Sequence, residues 1–437
     1  MSFRKYISQL EARGALQRIP TPTSKTYEIA ALLKQLEPRP VLFEQVVESP
    51  FRVVGNLFCG KAAFADYFGI SLPEIIPFMT RAIEQRSVCR VVEEGPCQEV
   101  VVEQPDLVGL PILRHCEQDG GNYITSGVVI TRHPEHGQNL DFHRCMQFSR
   151  NEMAMRIVRG RHFDAFLRDR QALEVAVCIG TPLSVLAAAA TSVEMGVDEL
   201  EIANAMQALD LVRARSVDLL VPAEAEFVLE GTVHLDRLHA EGPFVDLTET
   251  YDIVRQEPVF EVGTITHRRD AIWQALLPGA LEHKLLMGMP REPTIFRKVN
   301  EVARCLDVNI NPGGCSWLHA VVQIEKRSEQ DGMKTILAAF EGHRSCKHVY
   351  VVDSDIDIYD PLAVEWAFAT RFQGDQDMLV LEKSPGSSLD PSAEPGDHLT
   401  TRVGFDLTKP LDHKGKDFNK AAFPKVDLGR FLKNGKD

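Results

Sequence analysis

The chain has 437 residues and a formal net charge of −14, with 44% hydrophobic and 25% charged residues. At roughly 150 residues per domain this gives two or three domains with ample core, and it excludes disorder and collagen. The acidic balance argues against nucleic acid or an anionic membrane as partner, since both favour basic faces.

The opening MSFRKYISQLEARG has neither an apolar core nor a small-residue cleavage site, so no signal peptide is expected. No run approaches about 18 apolar residues, so no membrane span is expected either. Nine cysteines are scattered without a CxxC pair, which fits reduced thiols and a cytoplasmic chain.

Phe3, Ile7, Leu10 and Leu16 share the face of an opening helix, with Gly14 as its stop. PVLFEQV and FRVVGNLF read as short strands, and SLPEIIPFMTRAIEQ as a helix. NYITSGVVITRH alternates, turns at HPEHGQ and returns as NLDFHRCMQF, which predicts a β-hairpin. ALEVAVCIG is a strand, and the stretch from Thr181 to Asp210 is helical. LLVPAEAEFVLEGTVHL is a strand again, then come the loop HAEGPFVD and the strand VFEVGTITHR. From about Pro293 the pattern is α/β once more. HVYVVDSDIDIYD is a strand running into an acidic loop, and PLAVEWAFATRF is a helix. SPGSSLDPSAEPGD is a long surface loop or lid, TTRVGFDLT is the final strand and KVDLGRFLKN the last helix. The expected units are an N-terminal α/β domain (1–104), a strand-rich central domain (105–292) and a C-terminal α/β domain (293–437).

The phosphate-loop, dinucleotide-binding and nucleophile-elbow signatures are absent. HPEHG reads as a plain turn, because Pro134 and the short spacing keep two imidazoles from lying one helical turn apart. The acidic run 353–357 lacks the glycine and bidentate glutamate of a calcium loop and reads as a structural turn. Three segments carry more information. They are Asn139 to Arg144, then Arg161 and His162 ahead of a helix, and Glu199 behind Asp198 in a helical first turn. Singly these are a turn residue, a helix-start polar group and a dipole-favoured surface acid. Together they supply an amide oxygen, an imidazole and a carboxylate. That set suits Mn²⁺ better than a thiolate-rich zinc site, and it leaves positions open for phosphate oxygens.

Glu241 and Asp246 lie five apart across a Gly-Pro loop. Such a pair is ordinarily solvated loop charge. Pointing into an apolar pocket, one would instead be held protonated as a general acid. An arginine between them would keep the other ionised. Arg144 is the candidate, since period two puts it on the face of Leu140, Phe142, Met146 and Phe148, where an arginine needs a partner.

With these segments in view, the sequence resembles the UbiD-type decarboxylases, the prenylated-FMN-dependent family. The resemblance runs through LEARGALQRI, LPILRHCEQDGGNYITSGVVITRHPEHGQNLDFHR, VPAEAEFVLEG, EGPFVD, MGMPREPTIF, VVDSDIDIYD and RVGFDLTKP, nearly the whole chain. It implies a central split β-barrel flavin domain between α/β N- and C-terminal domains, the last serving oligomerisation. It implies prenylated FMN, Mn²⁺ and K⁺ as cofactors, with Asn139, His162 and Glu199 holding the metal. Phe142, His143, Arg144, Arg161 and Lys347 would contact the flavin. Arg144, Glu241 and Asp246 would form the catalytic trio, with Asp246 as proton donor. The implied reaction is reversible non-oxidative decarboxylation of an aromatic, heteroaromatic or α,β-unsaturated acid through a covalent adduct with the flavin. A cofactor is needed because the carbanion left on an sp² carbon has no sink among side chains. A flavin prenyltransferase would supply the cofactor, and the chain would form a homodimer or homohexamer. The alternatives are a non-catalytic flavin-binding subunit of a multi-component carboxylase and an unrelated metal-dependent hydrolase.

Asp246 stands where several relatives carry glutamate, Arg161 where some carry glutamine, and the chain is shorter than many members. Asn139 and Arg144 also lie five apart, which on an unbulged strand means opposite faces. A bulge, or a cofactor gripped from both sides, would reconcile them.

Overall fold

The strands expected between Asn122 and His267 form one sheet, and its order determines where the site lies. In the computed structural model every residue is described except 169, 422, 428, 429 and 432–437. Eight strands follow one path: β1 (Asn122–Ile124), β2 (Val128–His133), β3 (Gly137–Phe142), β4 (Cys145–Gln147), β5 (Glu152–Met155), β6 (Ala172–Ile179), β7 (Phe227–Glu241) and β8 (Arg255–His267). Their spatial order is β1-β4-β5-β8-β7-β6-β2-β3, and a short strand at Val100–Val102 also pairs with β8.

The segment NLDFHRCMQF is two strands rather than the single one expected. β3 pairs with β2 as the predicted hairpin, with Asn139 opposite Thr131. β4 pairs instead with β1 and β5, at the other end of the sheet. Only His143 and Arg144 join them. A two-residue link spans at most about 11 Å, so the sheet is curled until its two ends nearly meet, giving a split barrel. The conflict between Asn139 and Arg144 disappears with this: Asn139 is in β3, and Arg144 lies in the link.

Alternation puts successive residues on opposite faces, and both faces are apolar. Val128, Ile130, Ala176, Cys178 and Val228 pack with the N-terminal helix Phe3–Ala12 and the helices α1 (Leu183–Ala189) and α2 (Glu199–Met206). Val129, Val175, Val177 and Leu229 pack with Phe163, Phe166, Phe260 and Trp273. Strands buried on both sides read as near-continuous apolar runs, as ALEVAVCIG does.

The N-terminal sheet (17–19, 41–43, 52–55) takes its fourth strand from Ile272–Gln274, and Arg90–Val92 pairs with Asp210–Arg213. Strand pairing therefore crosses position 104 in both directions. The C-terminal sheet has five strands among the described residues. Ile295 and Ile336 cover one face of it, and Val364 and Ala367 cover the other. The acidic run is structural as expected: Arg371 pairs with Asp353 at 3.0 Å and with Asp355 at 2.8 Å. The long loop is pinned by Ser387, which accepts from Trp317 Nε1 at 3.0 Å, and by Asp390 on Lys347. The opening helix stops at Ala12, with Gly14 left-handed at φ +68°, so Leu16 lies beyond it. All nine cysteines are free. Half of the helix expected over KVDLGRFLKN falls outside the described residues.

β7 and β8 slip register between Glu230 and Gly231, where a Cβ on Gly231 would lie 2.0 Å from the Glu261 carbonyl oxygen. In the facing strand Gly263 has nothing nearer than 3.9 Å. Gly231→Ala is expected to lower unfolding free energy by about 1–3 kcal/mol. Gly263→Ala should change it far less. Denaturant melts of the two variants check this.

Candidate functional site: an arginine-bridged acid cluster and an adjoining donor set

Arg144 projects from the β3–β4 link, and three carboxylates converge on it. Its Nε and Nη2 donate to Glu241 at 2.8 and 3.0 Å, Nη1 to Asp246 at 2.6 Å, and Nη2 also to Asp252 at 2.9 Å. Each acid has a separate structural source. Glu241 ends β7 and is fully buried. Asp246 follows the short strand Phe244–Val245, and Asp252 sits on its antiparallel partner, Tyr251–Asp252. Tyr123 of β1 donates its hydroxyl to Glu241 at 3.1 Å, and the Arg144 guanidinium lies 4.7 Å from the centre of the Phe244 ring. Burial pushes the Arg144 pKa down, but Glu241, Asp246 and Asp252 outweigh it and the net shift is upward. Asp252 is lowered although burial opposes it, because Arg255 and Arg144 hold it ionised. The turn after Glu241 needs glycine: Gly242 has φ +102°, and a Cβ there would lie 2.9 Å from the Ile253 oxygen.

Asp246 is the most exposed of the three acids, its side chain 18% accessible against 0% for Glu241. Its Oδ1 accepts from the Leu247 amide at 2.7 Å. The loop is tethered by an ion pair from Glu249 to Lys284 in helix α3 (Leu281–Gly288). The same helix carries His283, whose Nδ1 accepts from Gly279 N at 3.0 Å. Burial lowers the His283 pKa; the Asp246 charge opposes this, and Arg144 adds to it.

The second group lies along β3. Asn139 is 3% exposed, and its amide nitrogen has no partner among the described residues. Asp198 caps α2 through the Leu200 amide at 2.9 Å, which places Glu199 in the first turn as expected. Glu199 Oε2 accepts from the Leu140 amide at 3.0 Å, which seats the carboxylate on β3. Burial pushes the Glu199 carboxyl up to about 8, with Asp141 adding to the shift. His162 opens the helix His162–Leu167 behind Arg161 and is half-buried. Burial lowers its pKa against the pull of Asp141. Asp141, two residues from Asn139 on the same face, thus acts on both Glu199 and His162. It also contacts His143 Nε2 at 2.9 Å, while His143 Nδ1 faces the Arg156 carbonyl at 2.8 Å. Burial lowers the His143 imidazole, but Asp141 prevails and the net shift is upward.

The structure therefore brings Arg144, Glu241 and Asp246 together directly. It seats Glu199 on the strand that carries Asn139 and Asp141, and the Asp141 charge reaches His162. Phe142 packs beside Leu140 on the core. Arg161 is exposed at the helix start. Lys347 joins neither group, since its ammonium pairs with Asp390 at 2.8 Å in the C-terminal loop. Sequence reasoning missed Asp252, Tyr123, Asp141 and His283. Only Asp141 left a signal, as a buried-strand acid two residues from Asn139. The plain turn at HPEHG also brings His133, Glu135 and His136 within 4.8 Å of one another.

An amide, an imidazole and a carboxylate that burial keeps protonated without a cation form a donor set that fits a hard divalent ion. The orphaned Asn139 nitrogen is an N–H donor and leaves room at the same spot for an oxygen acceptor.

Three family models match consecutive parts of the chain. The 3-octaprenyl-4-hydroxybenzoate carboxy-lyase N-terminal domain matches residues 7–83, its Rift-related domain 90–281 and its C-terminal domain 284–407. The chain is 41% identical over 408 residues to anhydromevalonate phosphate decarboxylase of Methanocaldococcus jannaschii, covering 92% of this chain and 96% of that one. The UbiD-class enzyme HmfF from Pelotomaculum thermopropionicum, solved with FMN, superposes with a TM-score of 0.95 at 34% identity, over 99% of this chain and 100% of that chain. An evolved dimeric form of HmfF, solved with prFMN, superposes at 0.90 with 33% identity, over the same shares of the two chains. Among the described residues, no helix is long and apolar enough to cross a membrane.

A divalent ion binding at Glu199 must displace the proton held there up to about pH 8. Mn²⁺ affinity should therefore rise by about tenfold per pH unit between pH 6 and 7.5. Glu199→Gln should weaken binding and flatten that slope. Titration calorimetry of the flavin-free protein at several pH values checks both.

Proposed function

The chain belongs to the UbiD family of carboxy-lyases, and from that premise we propose that it decarboxylates an acyclic α,β-unsaturated acid carrying a phosphate, with prenylated FMN as cofactor. The substrate class is taken from the 41% identical relative named for anhydromevalonate phosphate. Mevalonate less water is an unsaturated acid, and the phosphate is its second anionic group.

The observation that carries the reading is the Arg144 bridge to both Glu241 and Asp246. In the proposed site Asn139, His162 and Glu199 would hold Mn²⁺, with K⁺ as the accompanying ion, and the metal would supply positive charge for the flavin phosphate. Arg161 and His143 would contact the same cofactor. Bound prenylated FMN supplies the electron sink that no side chain offers.

The chain's own residues do the remaining work. Arg144 binds Glu241 through two hydrogen bonds and holds it in place. Tyr123 and Phe244 close that side of the site against water. Asp246, the accessible acid, delivers a proton through its carboxyl oxygen to the carbon that has lost CO₂. The next turnover requires its reprotonation from solvent, which its exposure permits. A homodimer or homohexamer, cytoplasmic and supplied by a flavin prenyltransferase, completes the proposal. The loss of CO₂ is reversible in principle.

Asp246→Asn should reduce turnover by about 10²–10⁴-fold while flavin is retained. Turnover close to wild type, with the cofactor mass confirmed after release, would remove Asp246 as proton donor. Arg144→Lys should cost activity too, because an ammonium cannot hold Glu241 through two parallel bonds.

A further inference from the structure

The turn between β2 and β3 gathers three candidate ligands that neither the acid cluster nor the Asn139 donor set uses. β2 ends at His133, β3 begins at Gly137, and these two residues form the last rung of the hairpin. Pro134, Glu135 and His136 make the turn, and Gly137 is left-handed at φ +75°. A three-residue loop closed by a left-handed glycine is a common hairpin form, and proline suits the first central position of its turn. A β-turn brings its first and last residues within about 7 Å. His133 and His136 occupy those two ends. Pro134 keeps them from meeting across one turn of a helix, and the β-turn brings them together instead.

The two imidazoles stack, with ring centres 4.7 Å apart and planes 24° from parallel. One ligand atom from each of His133, Glu135 and His136 lies within 4.8 Å of the others. The buried Phe166 backs both imidazoles, its ring centre 5.1 Å from that of His133 and 6.1 Å from that of His136. The rings are thus partly held before anything binds, which lowers the ordering cost of binding. His133 Nδ1 accepts from the Glu135 amide at 3.2 Å, so its lone pair faces over the turn. That bond is long and exposed, and a cation can replace it. Among the described residues, the Glu135 carboxylate and the His136 imidazole form no hydrogen bond or ion pair.

Two imidazoles and a carboxylate suit Zn²⁺, with water in the fourth position. Zn–N bonds of about 2.0–2.1 Å set tetrahedral donors about 3.3 Å apart. The three groups therefore need to close by at most about 1.5 Å, and Glu135 and His136 are exposed side chains that can swing. The set has two nitrogens and no amide oxygen, so it favours Zn²⁺ over Mn²⁺ more strongly than the Asn139 set does.

We propose that the β2–β3 turn is a second metal site, in which His133, Glu135 and His136 bind Zn²⁺ and tie the hairpin tip together. Asn139 lies two residues beyond Gly137, so an ion there braces the strand that carries it. The site stands independently of the function proposed above.

The test uses the full chain, flavin-free, without a polyhistidine tag and stripped of metal, in equilibrium dialysis against Zn²⁺ at about pH 7.5. His136→Asn should bind one equivalent fewer than wild type. Glu135→Gln should weaken that equivalent at least about tenfold. Glu199→Gln should keep it, which separates the turn from the Asn139 set. All nine cysteines are common to these variants, so zinc on thiols cancels in the difference. Zn²⁺ should raise the melting temperature of Glu199→Gln and not that of the Glu199→Gln/His136→Asn double variant. Without metal, His136→Asn should melt with wild type, because its ring is exposed. Wild-type zinc content in His136→Asn would overturn the proposal. So would full affinity in Glu135→Gln, or loss of the turn's equivalent in Glu199→Gln, which would make the histidines part of the Asn139 set.

Discussion

A single buried guanidinium holds this site together. Arg144 takes Glu241, Asp246 and Asp252 at once, and Arg255 shares Asp252 at 2.6 Å. Two cations thus face three carboxylates, and one negative charge is left without a match. Taking such a set out of water is unfavourable unless nearly every donor and acceptor is satisfied. The surroundings meet that demand: Tyr123 donates to Glu241, Phe244 faces the guanidinium, and Leu247 N–H binds Asp246. The uneven burial of the acids then divides their roles. Glu241 is sealed in and can only remain a partner, whereas Asp246 has one side open and can exchange a proton.

The donor set along β3 is arranged the opposite way. There, among the described residues, no arginine pairs with Asp141, Asp198 or Glu199. Burial keeps Glu199 protonated up to about pH 8, and Asp141 lies between Glu199 and His162. One group is complete as the chain folds, and the other leaves a donor unmatched.

Much of this was legible in the sequence, for identifiable reasons. Period-two alternation and turn residues mark β2 and β3, apolar runs mark β6 and β7, and Asp198 marks the start of α2. Glu241 and Asp246 are legible because they flank a Gly-Pro turn, and Asn139, His162 and Glu199 as a candidate donor set. The break at His143 and Arg144 was not legible. Apolar alternation continues through both strands, and only the change of pairing partner reveals it. Asp252, Tyr123 and His283 were hidden for a related reason. Each reaches the cluster from an element that local pattern cannot place beside it. Lys347 shows the converse, a lysine expected near the flavin whose charge is already taken by Asp390.

The two-residue link has a consequence for how such a chain can vary. Asn139 and Arg144 sit on one short stretch, anchored in β3 at one end and in β4 at the other. An inserted residue there would turn Arg144 away from its acids or shift Asn139 out of register with Thr131. Within 244–252 and 386–398 the anchored positions include Asp246, Asp252, Ser387 and Asp390, and the exposed residues between them can vary more freely. The spacing of the chemical apparatus is therefore locked, while the parts that shape what enters are free to diverge. A chain built this way can take up a new acid without rebuilding its means of removing the carboxyl group.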